Sequence, residues 1–362
     1  MIKVLFENHH LYYLPNFIPV IKEMQKRKKY KIFASMPFMI DKEEKSTFIS
    51  ACKKINIDTI VAESEELRIS KIKEKSFDVI VVGNVGQLMK VINDNELTVM
   101  IYHGIGLKQS YYNDIDMRID LRSVESEPRM RELSSHGHNN LVLSGFTKCD
   151  PLVTNDCNQI TAKMDIDNSL KTILYAPSFY PSSIDKLIPI LPKLSCENNL
   201  VIKLHNFSWY QDQYRYQSKA MMQLAENNKN IFLVPQDDYN IIPYYSIADL
   251  LISDISSTMF EYLYLNRPII MAECYELRLK HKIFKKRFIK KMDLKRMEEV
   301  DFAMRFNNPE DLVSLVYHEL EHPDDLESER LSAQKEYLFK VDGKASFRMV
   351  NAIESNLSGA KS

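Results

Sequence analysis

An α/β architecture of two Rossmann-like domains, their parallel sheets facing a cleft, is predicted by three features of the sequence. The chain has 362 residues, and at ~150 residues per domain that length suits two domains better than one. Short β-branched apolar runs alternate with longer stretches of helical periodicity, the pattern of βαβ units and parallel strands. The alternation pauses once, over the polar and weakly periodic Pro151–Ser169, and then restarts.

In the first half, Ile2–Phe6 reads as a strand. Pro15–Arg27 reads as a helix with Phe17, Val20, Ile21 and Met24 on one stripe. Lys31–Ala34 is a strand, Lys42–Lys54 a helix and Thr59–Val61 a short strand. Phe77–Val82 and Thr98–Tyr102 are strong β-branched runs that stop at Gly83 and His103, and Asn140–Leu143 is a further strand. After the linker come strand Thr172–Tyr175, a helix around Ser183–Leu194, strand Leu200–Leu204 and helix Trp209–Glu226. Strands Ile231–Val234 and Leu250–Ser253, helix Ser256–Leu265 and strand Pro268–Met271 follow. Asn308-Pro309-Glu310-Asp311 is a helix start, with a capping side chain, proline at the first position and acids in the first turn. Helices fill the remainder.

Composition narrows the function. Forty-five per cent apolar and 27 per cent charged residues suit a globular chain with a large core. A net charge of −1 argues against bulk electrostatic binding of nucleic acid. Five scattered cysteines without CxxC spacing suit a reducing compartment and give no metal signature. No window holds 18 apolar residues, and the opening MIKVLFENHH is too short for a signal peptide. The expected location is cytoplasmic or peripheral on the cytoplasmic face. Eight glycines in 362 residues, about 2 per cent, compare with ~7 per cent typically. None lies between Phe146 and Asp342, so a phosphate site there has to be built without a glycine-rich loop.

Ligands of open parallel sheets bind beyond the carboxyl ends of the strands. The polar residues at those positions are therefore the candidates. His9 and His10 follow the first strand, Gly83-Asn84-Val85-Gly86 another, and His103-Gly104-Ile105-Gly106-Leu107-Lys108 the next. In the second half Ser178, His205 and the run Asp254 to Thr258 occupy equivalent places. Ser256, Ser257 and Thr258 open a helix, where hydroxyls and unbonded backbone N–H groups hold anions; an ordinary serine cap is the alternative. Glu261, one turn on, suits a ribose hydroxyl pair, or is a plain helix acid. His103, beside two glycines, suits a general base for a hydroxyl nucleophile, or a loop histidine bonded to a carbonyl. His205 suits a donor to phosphate. Lys203 suits the same role or a strand-end charge.

Three patterns carry less. His318-Glu319-Leu320-Glu321-His322 matches HExxH, but Pro323 places it at a helix end with no evident third ligand. Asp114-Ile115-Asp116 and Asp165-Ile166-Asp167 are DxD pairs that arise easily by chance. Lys282–Arg296, basic with Phe284, Phe288 and Met292 on one stripe, fits either an anionic membrane surface or a solvated helix.

Taken in order, His103–Lys108, Gly145–Asp150, Tyr175–Pro177, Lys203–His205 and Ser253–Ile269 (SDISSTMFEYLYLNRPI) resemble the CDP-glycerol glycerophosphotransferases, the teichoic-acid primases and polymerases. The chain departs from their pattern at Ile105-Gly106, Asn206 and Glu261. The resemblance implies a GT-B architecture that needs no metal or other cofactor. Its N-terminal acceptor domain would span residues 1–160 and its nucleotide domain 170–340. Residues 341–362 would form a C-terminal helix packing back on the first domain. It implies transfer of glycerol phosphate, or a related polyol phosphate, from CDP-glycerol or another CMP-releasing donor to a glycan or lipid-linked hydroxyl, with release of CMP. Carried over, His103 and His205 are the catalytic pair, Ser256 and Ser257 lie near the diphosphate and Glu261 near the ribose. By their places at the strand ends, Thr258, Asp254, Lys203 and Ser178 are assigned to the donor, and His9, His10, Gly104 and Lys108 to the acceptor. The alternative is an inverting CMP-sugar glycosyltransferase of sialic acid or Kdo type in capsule or lipopolysaccharide synthesis. An epimerase or hydrolase on the same fold and a non-enzymatic scaffold are the remaining competitors.

Overall fold

The computed structural model describes residues 1–86, 88–93, 95–105, 118–153, 163–278, 281 and 298–359. It divides into two units. The first comprises Met1–His103, Tyr112–Val153 and Tyr337–Ser362, and the second Gly104–Tyr111 and Thr154–Glu336.

The first unit holds seven strands: β1 (Ile2–Glu7), β2 (Tyr30–Ser35), β3 (Asp58–Ile60), β4 (Val79–Val82), β5 (Leu97–Met100), β6 (Leu121–Val124) and β7 (Leu141–Leu143). Their order is β3-β2-β1-β4-β5-β6-β7 and every pair is parallel. The second unit holds β8 (Lys171–Ala176), β9 (Asn198–Ile202), β10 (Ile231–Leu233), β11 (Leu250–Ser253), β12 (Ile269–Ala272) and β13 (Met304–Phe306). These run β10-β9-β8-β11-β12-β13, again all parallel. Both sheets follow the Rossmann order, with a reversal of winding between β1 and β4 and between β8 and β11. Central strands are buried on both faces, as parallel sheets under helices require. Val4, Leu5 and Phe6 are fully buried in one core, and Ile173, Leu200, Ile252 and Ile270 in the other.

Two strands and two helices have weak sequence signals. β6 reads Leu-Arg-Ser-Val, and its buried Arg122 interrupts the apolar run that marks a strand. β13 is only three residues long. Helices Glu65–Lys75 and Glu127–Ser135 carry little apolar periodicity, although Ser64 and Ser126 cap them through Leu67 N–H and Arg129 N–H. The helix expected around Ser183–Leu194 is two separate turns, Ile184–Leu187 and Leu191–Leu194. Pro189 and Pro192 remove the amide donors a continuous helix needs. The expected Trp209–Glu226 helix likewise resolves into Asn206–Tyr210, a 3₁₀ turn over Asp212–Tyr214, and Arg215–Glu226.

The C-terminal helix Ala345–Gly359 lies in the first unit, against helix Leu14–Lys26. Asp150 caps it, accepting from Ala345 N at 2.9 Å and Ser346 N at 2.7 Å. Gly145 adopts φ 86°, and a Cβ there would stand 2.8 Å from the Phe339 carbonyl. Gly145-Phe146-x-x-x-Asp150 is therefore the seat of the C-terminal helix. No helix among the described residues is long and apolar enough to cross a membrane.

Candidate active site

In the first unit the candidates gather at the carboxyl edge of the sheet, where β1 and β4 diverge. Glu7 closes β1 and is buried. Arg68, from helix Glu65–Lys75, reaches it through Nη1 at 2.8 and 2.9 Å, and also bonds Ser35 and Glu65. This buried ion pair, carried by residues without a recognisable motif, holds the start of the loop that bears His9 and His10. Burial pushes the His9 imidazole below its usual range, with Glu7 pulling the other way. His10 Nδ1 lies 3.2 Å from Glu44 Oε1, which also accepts from Leu11 N at 2.8 Å.

His103 follows β5. Its Nδ1 stands 3.2 Å from the carbonyl oxygen of Gly83, at the end of β4. A carbonyl only accepts, so Nδ1 carries the proton and Nε2 the lone pair of the neutral ring. The Tyr13 and Tyr12 rings pack on the imidazole with centroids 4.4 and 5.6 Å away. Asn84 Nδ2 donates to the Tyr13 hydroxyl. Gly83 has to be glycine, because an added Cβ would stand 2.1 Å from Tyr13 Cδ1. Gly104 is buried beside His103. Lys108, Gly106, the Asp114–Asp116 pair and the Lys282–Arg296 stretch lie outside the described residues.

In the second unit the corresponding edge lies between β8 and β11. Asp254 is buried just past β11 and binds the loop that follows β8. It accepts from Ser178 N at 2.9 Å, from Ser183 N at 3.2 Å and from the Ser183 hydroxyl. Ser178 Oγ donates to the Pro181 carbonyl. Asp254 and Ser178 thus fix one another, with Ser183 as the partner that local pattern does not reveal. Burial without a cation raises the Asp254 carboxyl from 3.8 to about 6. The sign is that of a proton held more tightly in the folded state, so stability is greatest below the unfolded value and falls as pH rises through about 6. Urea unfolding from pH 3.5 to 7 tests this: relative to Asp254→Asn, the wild type loses on the order of 3 kcal/mol across that window. Parallel curves for the two proteins would remove Asp254 from the linkage.

His205 follows β9 and caps the short helix Asn206–Tyr210. Its Nδ1 accepts the Phe207 N–H at 3.1 Å, so in the neutral ring the proton sits on Nε2. Phe179 and Phe207 pack on its ring at 4.7 and 5.0 Å. The two neutral histidines therefore take opposite tautomers, His103 with its proton on Nδ1 and His205 with its proton on Nε2. Ser256 caps helix Ser257–Tyr262 and accepts from Thr258 N at 3.4 Å, while Thr258 Oγ1 is 2.7 Å from Ser253 Oγ. Ser256, Ser257 and Thr258 are half-buried. Glu261 is fully buried; Tyr245 donates to it at 3.0 Å and Ser257 Oγ lies 3.5 Å away. Lys203 is buried, with Nζ 3.1 Å from the Leu204 carbonyl.

The discounted patterns fall elsewhere. The helix carrying His318 ends at Glu321, and His318 Nε2 is 2.8 Å from Asp325. Asp167 accepts from the Ser169 amide and hydroxyl. Among the described residues, no group of three His, Cys, Asp or Glu is placed to hold a metal ion.

Comparison with solved structures gives the same architecture. The wall teichoic acid polymerase TagF superposes with a TM-score of 0.69 at 17% identity, covering 99% of this chain and 89% of that one. UDP-GlcNAc 2-epimerase from Neisseria meningitidis gives 0.65 at 15% identity, covering 98% and 100%. A putative UDP-N-acetylglucosamine 2-epimerase from Listeria monocytogenes gives 0.63 at 12%, covering 99% and 97%. These likenesses establish two Rossmann-like domains of GT-B type. No curated protein matches by sequence. Residues 123–355 match the family described as CDP-Glycerol:Poly(glycerophosphate) glycerophosphotransferase, a span that runs from within β6 into the C-terminal helix and includes His205, Asp254, the paired serines and Glu261. The chain belongs to that family and is a transferase of the CDP-glycerol glycerophosphotransferase type.

Proposed function

We propose that the enzyme transfers glycerol phosphate from CDP-glycerol to a hydroxyl of a cell-surface glycan or lipid-linked acceptor and releases CMP. His103 Nε2 takes the acceptor's proton as its oxygen attacks the β-phosphorus. The new P–O bond forms as the bond to the bridging oxygen breaks, and CMP leaves with that electron pair. His205 Nε2–H, Ser256 and Ser257 stabilise charge on the phosphates. Positioning and electrostatics supply most of the acceleration in phosphoryl transfer. Thr258 supports the serines, Glu261 takes the ribose, and Asp254 with Ser178 and Lys203 shapes the donor loop. His9, His10 and Gly104 serve the acceptor.

The observation that carries this reading is the pair of opposite tautomers. A base needs a lone pair and a phosphate ligand needs a proton, and the Gly83 carbonyl and Phe207 amide supply those two states respectively. Family membership supports the donor, and one TagF structure was soaked with CDPG. The test is CMP release from CDP-glycerol, CDP-ribitol, CMP-sialic acid and CMP-Kdo, with and without lipid-linked and glycan acceptors. Acceptor-dependent CMP release from CDP-glycerol is expected. Turnover of a CMP-sugar alone would make the enzyme a glycosyltransferase, and reaction without acceptor would make it a hydrolase.

A further inference from the structure

The carboxyl edge of the first sheet does not account for the opposite edge of the same sheet. Because β3, β2, β1 and β4 are adjacent and parallel, the turns entering them lie side by side at the amino end. That end is basic. The segment Lys22–Lys31 (KEMQKRKKYK) has six basic residues and one acid. Lys53 and Lys54 end the helix before β3, and Lys73 and Lys75 the helix before β4. Lysines at helix ends complement the helix dipole, but Lys28, Lys29 and Lys31 lie past the end of their helix. Glu354 and Glu23 engage Arg27, and Glu354 also pairs with Lys29 at 2.9 Å. Among the described residues Lys22, Lys28, Lys53, Lys54 and Lys73 form no ion pair and are exposed. In a chain of net charge −1 this concentration is local, not compositional.

A cavity of about 650 Å³ opens in this face, and Lys22, Lys54, Gln25, Tyr30 and Asn56 line it with two short apolar walls. Its walls are fixed: Gln25 Nε2 donates to the Ile55 carbonyl at 2.8 Å, and the Tyr30 hydroxyl to Glu354 at 2.7 Å. No carboxylate is among the lining residues. Two ammonium groups and two side-chain amides among the lining residues suit the non-bridging oxygens of a phosphodiester. The lysines continuing along the neighbouring turns suit the next phosphodiesters of a chain rather than one isolated ion.

We propose that this edge binds a phosphodiester polyanion, a segment of polyol-phosphate chain, at a site separate from the chemistry. Five steps of ~3.3 Å from Ile2 to Glu7 place the edge about 17 Å from Glu7, so the ligand here is an already formed part of the chain and not its reacting end. The source of the polymer rests on the proposed function.

The test uses the full chain, wild type and Lys22→Glu/Lys54→Glu, with poly(glycerol phosphate) as the probe. The double variant is expected to weaken polymer binding by about tenfold or more, and added salt to weaken the wild type, as for any polyelectrolyte contact. CDP-glycerol affinity and the unfolding midpoint stay unchanged. Equal polymer affinity in both proteins would overturn the site. So would wild-type binding to phosphatidylcholine–phosphatidylglycerol vesicles or single-stranded DNA as tight as to the polymer. The two readings fail separately. Turnover of CDP-glycerol on a short acceptor with no polymer binding sinks only this one; polymer binding at the lysines without CDP-glycerol turnover sinks only the other.

Discussion

Replacing His103 by alanine is expected to lower turnover by roughly 10²–10⁴-fold, the range for loss of a general base, with donor affinity staying near that of the wild type. The asymmetry follows from where the residue sits. His103 belongs to the first unit, with its proton fixed on Nδ1 by Gly83 and its ring packed on Tyr13. The donor residues proposed here all belong to the second unit. Steady-state kinetics with CDP-glycerol, together with calorimetric donor titration, separate the two effects. Lost donor binding in a folded His103→Ala protein would end the base assignment. Gly83→Ala should move in the same direction without touching the imidazole chemically. Its Cβ would stand 2.1 Å from a Tyr13 ring atom, so the ring or the carbonyl has to shift. A Gly83→Ala enzyme with wild-type kcat would show that the carbonyl contact does not orient the base.

His205→Ala is expected to reduce kcat by roughly 10²–10³-fold, the usual cost of removing one donor to developing charge, and to weaken donor binding as well. The side chain is held from three sides, by the Phe207 amide on Nδ1 and by the Phe179 and Phe207 rings. Alanine leaves the Phe207 N–H without its acceptor, so far-ultraviolet dichroism and the unfolding midpoint must accompany the kinetics. A rise in KM with unchanged kcat would make His205 a ground-state ligand, because an interaction equal in ground and transition states does not change kcat.

Much of this is legible in the amino-acid sequence alone. The apolar runs at Val79–Val82 and Leu250–Ser253 are strands because a sheet covered on both faces needs apolar residues at consecutive positions. Polar residues directly after such runs fall at the carboxyl edge by geometry, which is how His103, His205 and Asp254 emerge as candidates from spacing alone. Pro189 and Pro192 also signal the break between Ile184–Leu187 and Leu191–Leu194, although the surrounding apolar spacing reads as one helix.

What the linear sequence by itself determined is the alternation of elements, the pairing of two α/β halves and the chemical inventory at the strand ends. Tertiary structure alone decided what each of those residues touches. The His103 tautomer depends on a carbonyl 20 residues away. Burial raises the Asp254 carboxyl, against the opposing pull of serine donors more than 70 residues away. Asp150 is a helix cap because residues 195 positions later fold back onto it. Arg68 meets Glu7 across 61 positions, with Arg68 on an exposed-looking helix that gives no hint of burial. Periodicity reports which face of an element is buried. Hydrogen-bond partners, and with them proton positions and charge, are set by which strands become neighbours, and no local pattern encodes that.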